Sequence, residues 1–302
     1  MPLIHPHNQF FTFILITSLK FFIFFSLSLT PPATTTATMP SPRLTSNINI
    51  LLLNPNSSRA MTKTMESAAN LIATLLPSVS ISTYTAPEPS PASIDNDEDI
   101  NASVEAVSND PEFKPEGYDA VLVACFSVHP LVKQLAHSLR PTPVIGIFEA
   151  SILTSLSLVP LVEKEKEQQQ WGIVTTGAFW EAHLSNGVAA FLGQPLSQSI
   201  SDHRFAGVYS TGLNAGDFHI ISQEQINVRL REATKRLLSS GNVTCVVMGC
   251  GGMGGLQDMI RDIIVQEYGR DKAKDVSIVD GVQAGVLQLQ QTVLSRRVFG
   301  VK

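Results

Sequence analysis

The sequence predicts an α/β protein of two pseudo-symmetric lobes, each with a mainly parallel sheet flanked by helices. Three observations carry this. From Ile48 onward, apolar runs of four to six residues alternate with stretches whose apolar residues recur at helical spacing. The runs stop at polar, turn-forming residues. The order of elements in the first half then recurs in the second.

Asn47 to Leu53 (NINILLL) reads as a buried strand that stops at Asn54-Pro55-Asn56-Ser57-Ser58, a turn with a hydroxyl N-cap ahead of a helix over Met61 to Leu76. Val79 to Thr85 is a second strand. Ala86 to Gly117, rich in Pro, Asp, Glu and Ser, reads as a surface connection holding one helix near Asp99 to Val107, and its charges as a solvated face. Tyr118 to Ala124 is a buried strand ending at Cys125, followed by a helix from Pro130 to Leu139 and a strand from Pro143 to Ile147 with Glu149 just beyond it.

After the polar run Glu163 to Gln170, the order begins again. A strand from Trp171 to Thr175 ends at Thr175-Thr176-Gly177, and a helix follows through Ala190. Then come a strand Gly207 to Ser210, a helix Ser222 to Leu238, and a strand Val243 to Gly249 ending at Cys250. A helix Gly254 to Tyr268, a strand Val276 to Val279 and a last helix from Ala284 complete the chain. Laid over each other, the halves match. Asn54 and Cys125 stand 71 positions apart, Thr175 and Cys250 75. Little residue identity accompanies the match, so the inference of duplication rests on element order. The expected organisation is a leader over 1–46 outside the fold, a first lobe over 47–160 and a second over 171–302, with the chain crossing between lobes near its C-terminus.

Composition narrows the function. A formal net charge of −5, with acidic and basic residues mixed, offers no basic stripe for a phosphate backbone, which excludes nucleic acid as a partner. Three cysteines, an odd number, do not form a secreted disulfide framework, and none has CxxC or Cys/His zinc-ligand spacing, so no metal is expected and the compartment is read as reducing and cytoplasmic. Phe10 to Leu29 is almost continuously apolar and conflicts with that picture. Three readings of it stand: an over-extended translation start with Met39 as the true beginning, a single membrane anchor, and a targeting sequence without a basic n-region. A membrane enters only if this segment is retained. Self-association is left open.

Cys125 and Cys250 carry the chemistry. Ligands of parallel α/β sheets bind beyond the carboxyl ends of the strands, where helix N-termini also point. Both cysteines fall there. Backbone N–H groups and a helix dipole are expected to lower each thiol pKa towards neutrality, giving a base at physiological pH. Two such thiols in facing lobes would approach one small-molecule substrate from opposite sides, as moving a proton from one face of a carbon to the other requires. Gly251 and Gly252 in Gly249-Cys250-Gly251-Gly252-Met253-Gly254-Gly255 let backbone amides approach a developing enolate. Phe126 supplies an apolar wall and Ser127 a hydroxyl. Asn54 and Thr175, with Thr176, close the site from the opening turn of each lobe.

Plainer roles weigh against these. A lone cysteine at a strand end is structural more often than catalytic, and Cys245, inside its strand, is read so. Two cysteines at equivalent places are harder to dismiss. The glycine run lacks the spacing of a phosphate loop. His129 is read as an exposed helix-start histidine rather than a partner of Cys125.

The motifs ILLLNPNSS, YDAVLVACFS, PVIGIFEAS, GIVTTG, VMGCGGM and VDGVQAG together resemble the hydantoin racemase branch of the aspartate/glutamate racemase superfamily, over about Ile48 to Leu289. The resemblance implies a site in the cleft between the lobes, no cofactor, and paired catalytic cysteines at Cys125 and Cys250. Two departures stand out. Val128-His129-Pro130 follows CFS where the family commonly has Asp-Pro, and GCGGM replaces the GCTE of the amino-acid racemases. The second favours a cyclic ureide, such as a 5-substituted hydantoin or allantoin, over free aspartate or glutamate.

The leading expectation is thus a cofactor-independent racemase acting at the carbon between a carbonyl and a nitrogen of such a ring. An amino-acid racemase or a maleate-type cis/trans isomerase of the same superfamily remains open. A decarboxylase, which needs one thiol, fits two cysteines less well. From another class, a catalytically silent ligand-binding member and a redox pair also remain.

Overall fold

The computed structural model describes residues 46–161, 168–195 and 203–300, all within one compact unit. The apolar stretch 10–29, Met39 and most of the polar run 163–170 lie outside the described residues. Among the described residues, no helix is long and apolar enough to cross a membrane.

The first sheet comprises β1 (Ile48–Asn54), β2 (Val79–Thr85), β3 (Ala120–Val123) and β4 (Val144–Gly146), parallel throughout and ordered β2-β1-β3-β4. The second comprises β5 (Gln170–Thr175), β6 (Phe205–Ser210), β7 (Val243–Gly249) and β8 (Ser277–Asp280), also parallel and ordered β6-β5-β7-β8. The two orders are the same. β3, which leads to Cys125, therefore holds the place in its sheet that β7, which leads to Cys250, holds in the other.

Alternation along β1 shows why its run is apolar throughout. Ile48, Ile50 and Leu52 enter the larger core, while Leu51 and Leu53 enter a separate cluster with Val121, Val123 and Leu131. Side chains of a strand point to opposite faces in turn, so a sheet covered on both sides needs apolar residues at every position. Each fully buried Leu or Ile contributes roughly 1.5–3 kcal/mol.

The helices are α1 (Arg59–Leu75), α2 (Asp97–Ser108), α3 (Pro130–Ser138), α4 (Ile147–Leu158), α5 (Phe179–Phe191), α6 (Gln223–Leu238), α7 (Gln257–Ala273) and α8 (Gly281–Phe299). Their starts follow from caps. The Ser58 hydroxyl accepts the Met61 N–H at 3.2 Å, and Asp280 accepts those of Val282 and Gln283 at 2.8 and 3.1 Å. The Asp280 cap starts α8 at Gly281, three residues before the expected Ala284. α7 starts at Gln257 rather than near Gly254, because Gly251–Met253 forms a 3₁₀ turn and Gly255 holds φ at +87°.

Helix α4 was not anticipated. Its sequence, IFEASILTSLSL, carries apolar residues on most sides and so lacks a clear amphipathic stripe. Packing explains this: α4 follows β4 of the first sheet but also packs against β7 and β8 of the second. α8 does the converse, leaving β8 to pack on α4, α1 and β3. Gly285 makes that approach possible, since a Cβ there would run into the Leu122 side chain. The exchange of helices ties the halves together and holds β3 and β7 in fixed relation.

Candidate active site

A pocket opens at the carboxyl ends of β3 and β7, with about 420 Å3 of empty space including that at its mouth. Both Cys125 and Cys250 line it, together with Phe126, Thr176, Gly251 and Gly252 from the residues expected at the site. Strand length places the thiols. Cys125 is the second residue after β3, and Cys250 the first after β7.

Three expected residues do not line the pocket. Asn54 is fully buried, and its amide donates to Asn56 Oδ1 at 2.8 Å, to the Ser58 carbonyl at 3.2 Å and to Thr62 Oγ1 at 2.9 Å. Its own Oδ1 accepts the Asn56 N–H at 3.2 Å. These bonds tie it to the turn and to α1, so it shapes that turn and does not close the site. Asn56, two residues on, reaches the pocket instead. Thr175 is buried likewise, its hydroxyl donating to the Gly249 carbonyl at 2.8 Å, which binds the end of β5 to the residue before Cys250. Ser127 lies beneath Cys125 and shares a 3.3 Å hydrogen bond with its sulfur.

Further walls come from Met61, Met65, Ile94, Trp180 and Ala215. Asn56 had a signal, standing in the turn that contains Asn54. Ile94 and Ala215 had none, because they sit in connections without periodicity.

The expectation of lowered thiol pKa values is overturned. Burial pushes the Cys125 thiol up to about 12 and the Cys250 thiol up to about 11. The Ser127 hydrogen bond draws Cys125 down only in part, while charges on Cys250, Glu149 and Asp95 push it further up. At Cys250 the Gly252 N–H, donated to the sulfur at 3.2 Å, and that of Met253 oppose burial, and Asp95 adds to it. Geometry explains the failure of the dipole argument. α3 begins at Pro130, five residues past Cys125, and only a single 3₁₀ turn follows Cys250, so neither sulfur faces the first turn of an α-helix.

Two neighbours also differ from or fill in the reading. His129 is buried, not exposed: Nδ1 accepts the Leu131 N–H at 3.3 Å and Nε2 pairs with the Ser103 hydroxyl at 3.0 Å. Burial lowers its pKa to about 4, so it stays neutral and caps α3. Cys245 lies in the core with its thiol 3.6 Å from the Ser155 hydroxyl of α4. Among the described residues, no group of three or more His, Cys, Asp or Glu side chains could hold a metal ion.

Comparison with known proteins bears on this arrangement. The profile of the Asp/Glu/Hydantoin racemase family matches residues 50–289, which span both sheets and both thiols. The chain belongs to that family. A Schizosaccharomyces pombe protein without an assigned activity is 30% identical over 246 residues, covering 82% of this chain and 92% of its relative. The hydantoin racemase of a Pseudomonas species is 27% identical over 243 residues, covering 79% and 83%. Among solved structures, the allantoin racemase from Klebsiella pneumoniae superposes with a TM-score of 0.63 at 24% identity, covering 82% of this chain and 88% of that one, and shares its fold.

Proposed function

We propose that this racemase-family enzyme inverts the carbon α to a carbonyl in a hydantoin-like cyclic ureide, with Cys125 and Cys250 as the two acid/base groups and no cofactor. The observation that carries the reading is that the two thiols line one pocket from equivalent positions of two like sheets. One sulfur, as thiolate, takes the ring proton and becomes a thiol, leaving an enolate. The other thiol gives its proton to the opposite face and becomes the thiolate. The product is the mirror-image centre, and the two cysteines have exchanged protonation states. The Gly251 N–H is the donor offered to the enolate oxygen as its charge develops, since that of Gly252 is held by the Cys250 sulfur.

The walls support a neutral substrate. None of the residues lining the pocket is Lys or Arg, and Phe126, Met65, Ile94 and Trp180 supply apolar walls. Aspartate or glutamate would bring carboxylates with no cation to receive them. The three cysteines are all free, which suits a reducing compartment such as the cytoplasm.

Proton NMR in D2O tests the reading. The ring C–H of a 5-substituted hydantoin or of allantoin should exchange far faster than the α-proton of aspartate or glutamate. Amino acids exchanging faster than every ureide would overturn the substrate class and leave the two-thiol chemistry standing.

A further inference from the structure

The connection between β2 and α2, which reads in sequence as surface, forms one edge of the pocket. It is held at both ends. The Ser90 hydroxyl donates to the Pro55 carbonyl at 2.6 Å and the Ser57 N–H to the Pro91 carbonyl at 3.0 Å, which fixes the connection to the turn that carries Asn56. At its far end Asn96 caps α2, accepting the Asp99 N–H at 3.0 Å, while the Asp99 carboxylate accepts the Asp95 N–H at 2.9 Å. Between these anchors Ile94 is buried on the pocket wall.

Asp95 follows it directly and reaches across to the other lobe. Its Oδ1 accepts the N–H of Ala215 at 3.4 Å, and Ala215 lines the pocket from the second lobe. The carboxylate thus stands between two lining residues, one from each lobe. Its Oδ2 takes no hydrogen bond among the described residues. Its charge acts on both sulfurs, whereas that of Glu149 acts on Cys125 alone. Asp95 does not itself line the pocket, but it stands at its rim between two residues that do, Ile94 and Ala215.

We propose that Asp95 is a specificity-determining residue of this site, its free oxygen accepting N–H groups of a neutral ureide while its charge turns away substrates bearing carboxylates. The inference rests on the racemase reading and adds to it a residue outside every motif that carried the resemblance. A ureide offers several N–H donors and no charge, so the carboxylate gains charge-assisted hydrogen bonds with it. A dicarboxylic amino acid instead meets like charge in a pocket with no cation on its walls. The anchors at both ends hold the group in place before a ligand arrives, which favours selection over adaptation.

The test uses the full-length protein and two readouts, with Asp95→Asn, which keeps an oxygen for the Ala215 N–H, and Asp95→Glu, which keeps the charge. The first readout is protection of Cys125 and Cys250 from iodoacetamide by allantoin or by aspartate, followed by peptide mass spectrometry at pH 9. It requires no turnover. Allantoin should protect the wild type and aspartate should not. Asp95→Asn should need at least ten times more allantoin for the same protection, and both thiols should alkylate faster than in the wild type without ligand. Asp95→Glu should recover part of the discrimination. The second readout is exchange of the same ligands in D2O, where the ureide-to-aspartate rate ratio should fall at least tenfold in Asp95→Asn. Unchanged protection in a folded Asp95→Asn variant would overturn the role of Asp95. Discriminating protection without exchange in the wild type would overturn the racemase reading and leave Asp95 standing.

Discussion

A negative charge on Cys250 raises the pKa of Cys125. The two sulfurs are therefore coupled through the pocket they share, and ionising one disfavours ionising the other. A single thiolate facing a single thiol is the state that two-base proton transfer needs, and the same state is restored, with roles reversed, after each turnover.

Cys125→Ser and Cys250→Ser should each lower racemisation by at least about a hundredfold, because a serine hydroxyl is too weak a base to replace a thiolate. Cys245→Ser is the control. Its sulfur lies in the core beside Ser155, so turnover should persist while stability falls by about 1–3 kcal/mol for the buried hydroxyl. Polarimetry of all three variants checks this, and loss at only one of the two pocket cysteines would point to single-base chemistry.

The raised thiol pKa values give a pH dependence of known sign. A thiol held up to about 11 or about 12 is protonated at neutral pH and gains thiolate as pH rises. Alkylation of Cys125 and Cys250 by iodoacetamide should thus keep increasing through pH 10. A plateau reached by pH 8 would restore the dipole-lowered thiols expected from the sequence. Peptide mass spectrometry resolves the two sites.

The sequence disclosed the positions of the thiols because a strand followed by cysteine is a pattern of one dimension, and the repeat of that pattern fixed their equivalence. It disclosed less about their environment. Whether Cys125 meets a helix N-terminus depends on the five residues to Pro130, and whether Asn54 or Asn56 faces the pocket depends on which amide the turn consumes. α4 escaped notice for a related reason: a helix covered by both lobes loses the polar face by which periodicity reveals a helix. Asp95 and Ala215 stand 120 residues apart and meet only through the fold.

Asn54→Ala removes a fully buried amide with four hydrogen bonds to its own turn and to α1. At about 1 kcal/mol net for each, the cost should be about 2–4 kcal/mol, measured by urea denaturation. Asn56 loses two hydrogen bonds with it, so kcat/KM should fall about tenfold even where the protein remains folded. Unchanged kcat/KM would show that Asn56 does not contact substrate.

Glu149 supplies the last prediction. Its carboxylate packs over Gly146 beside Val132, with Oε2 buried and unpartnered, and burial pushes its pKa from the ordinary 4.5 up to about 7. The N–H groups of Glu149 and Gly146 and the charge of Lys133 oppose that rise without cancelling it. A folded-state pKa above the unfolded one means that the native protein binds the extra proton between those two values. Stability contributed by Glu149 is therefore full below about pH 4.5, is lost as pH rises, and is gone above about 7, a change on the order of 3 kcal/mol. Asp280, also raised by burial, slopes the same way, and His129, lowered by burial, slopes oppositely at lower pH. Comparing the wild type with Glu149→Gln cancels both. The difference in urea midpoint should favour the glutamine variant increasingly from pH 5 to pH 8, and parallel profiles would show that Glu149 ionises normally. Because the Glu149 charge also raises the Cys125 thiol, the same variant should speed alkylation of Cys125 and leave Cys250 unaffected.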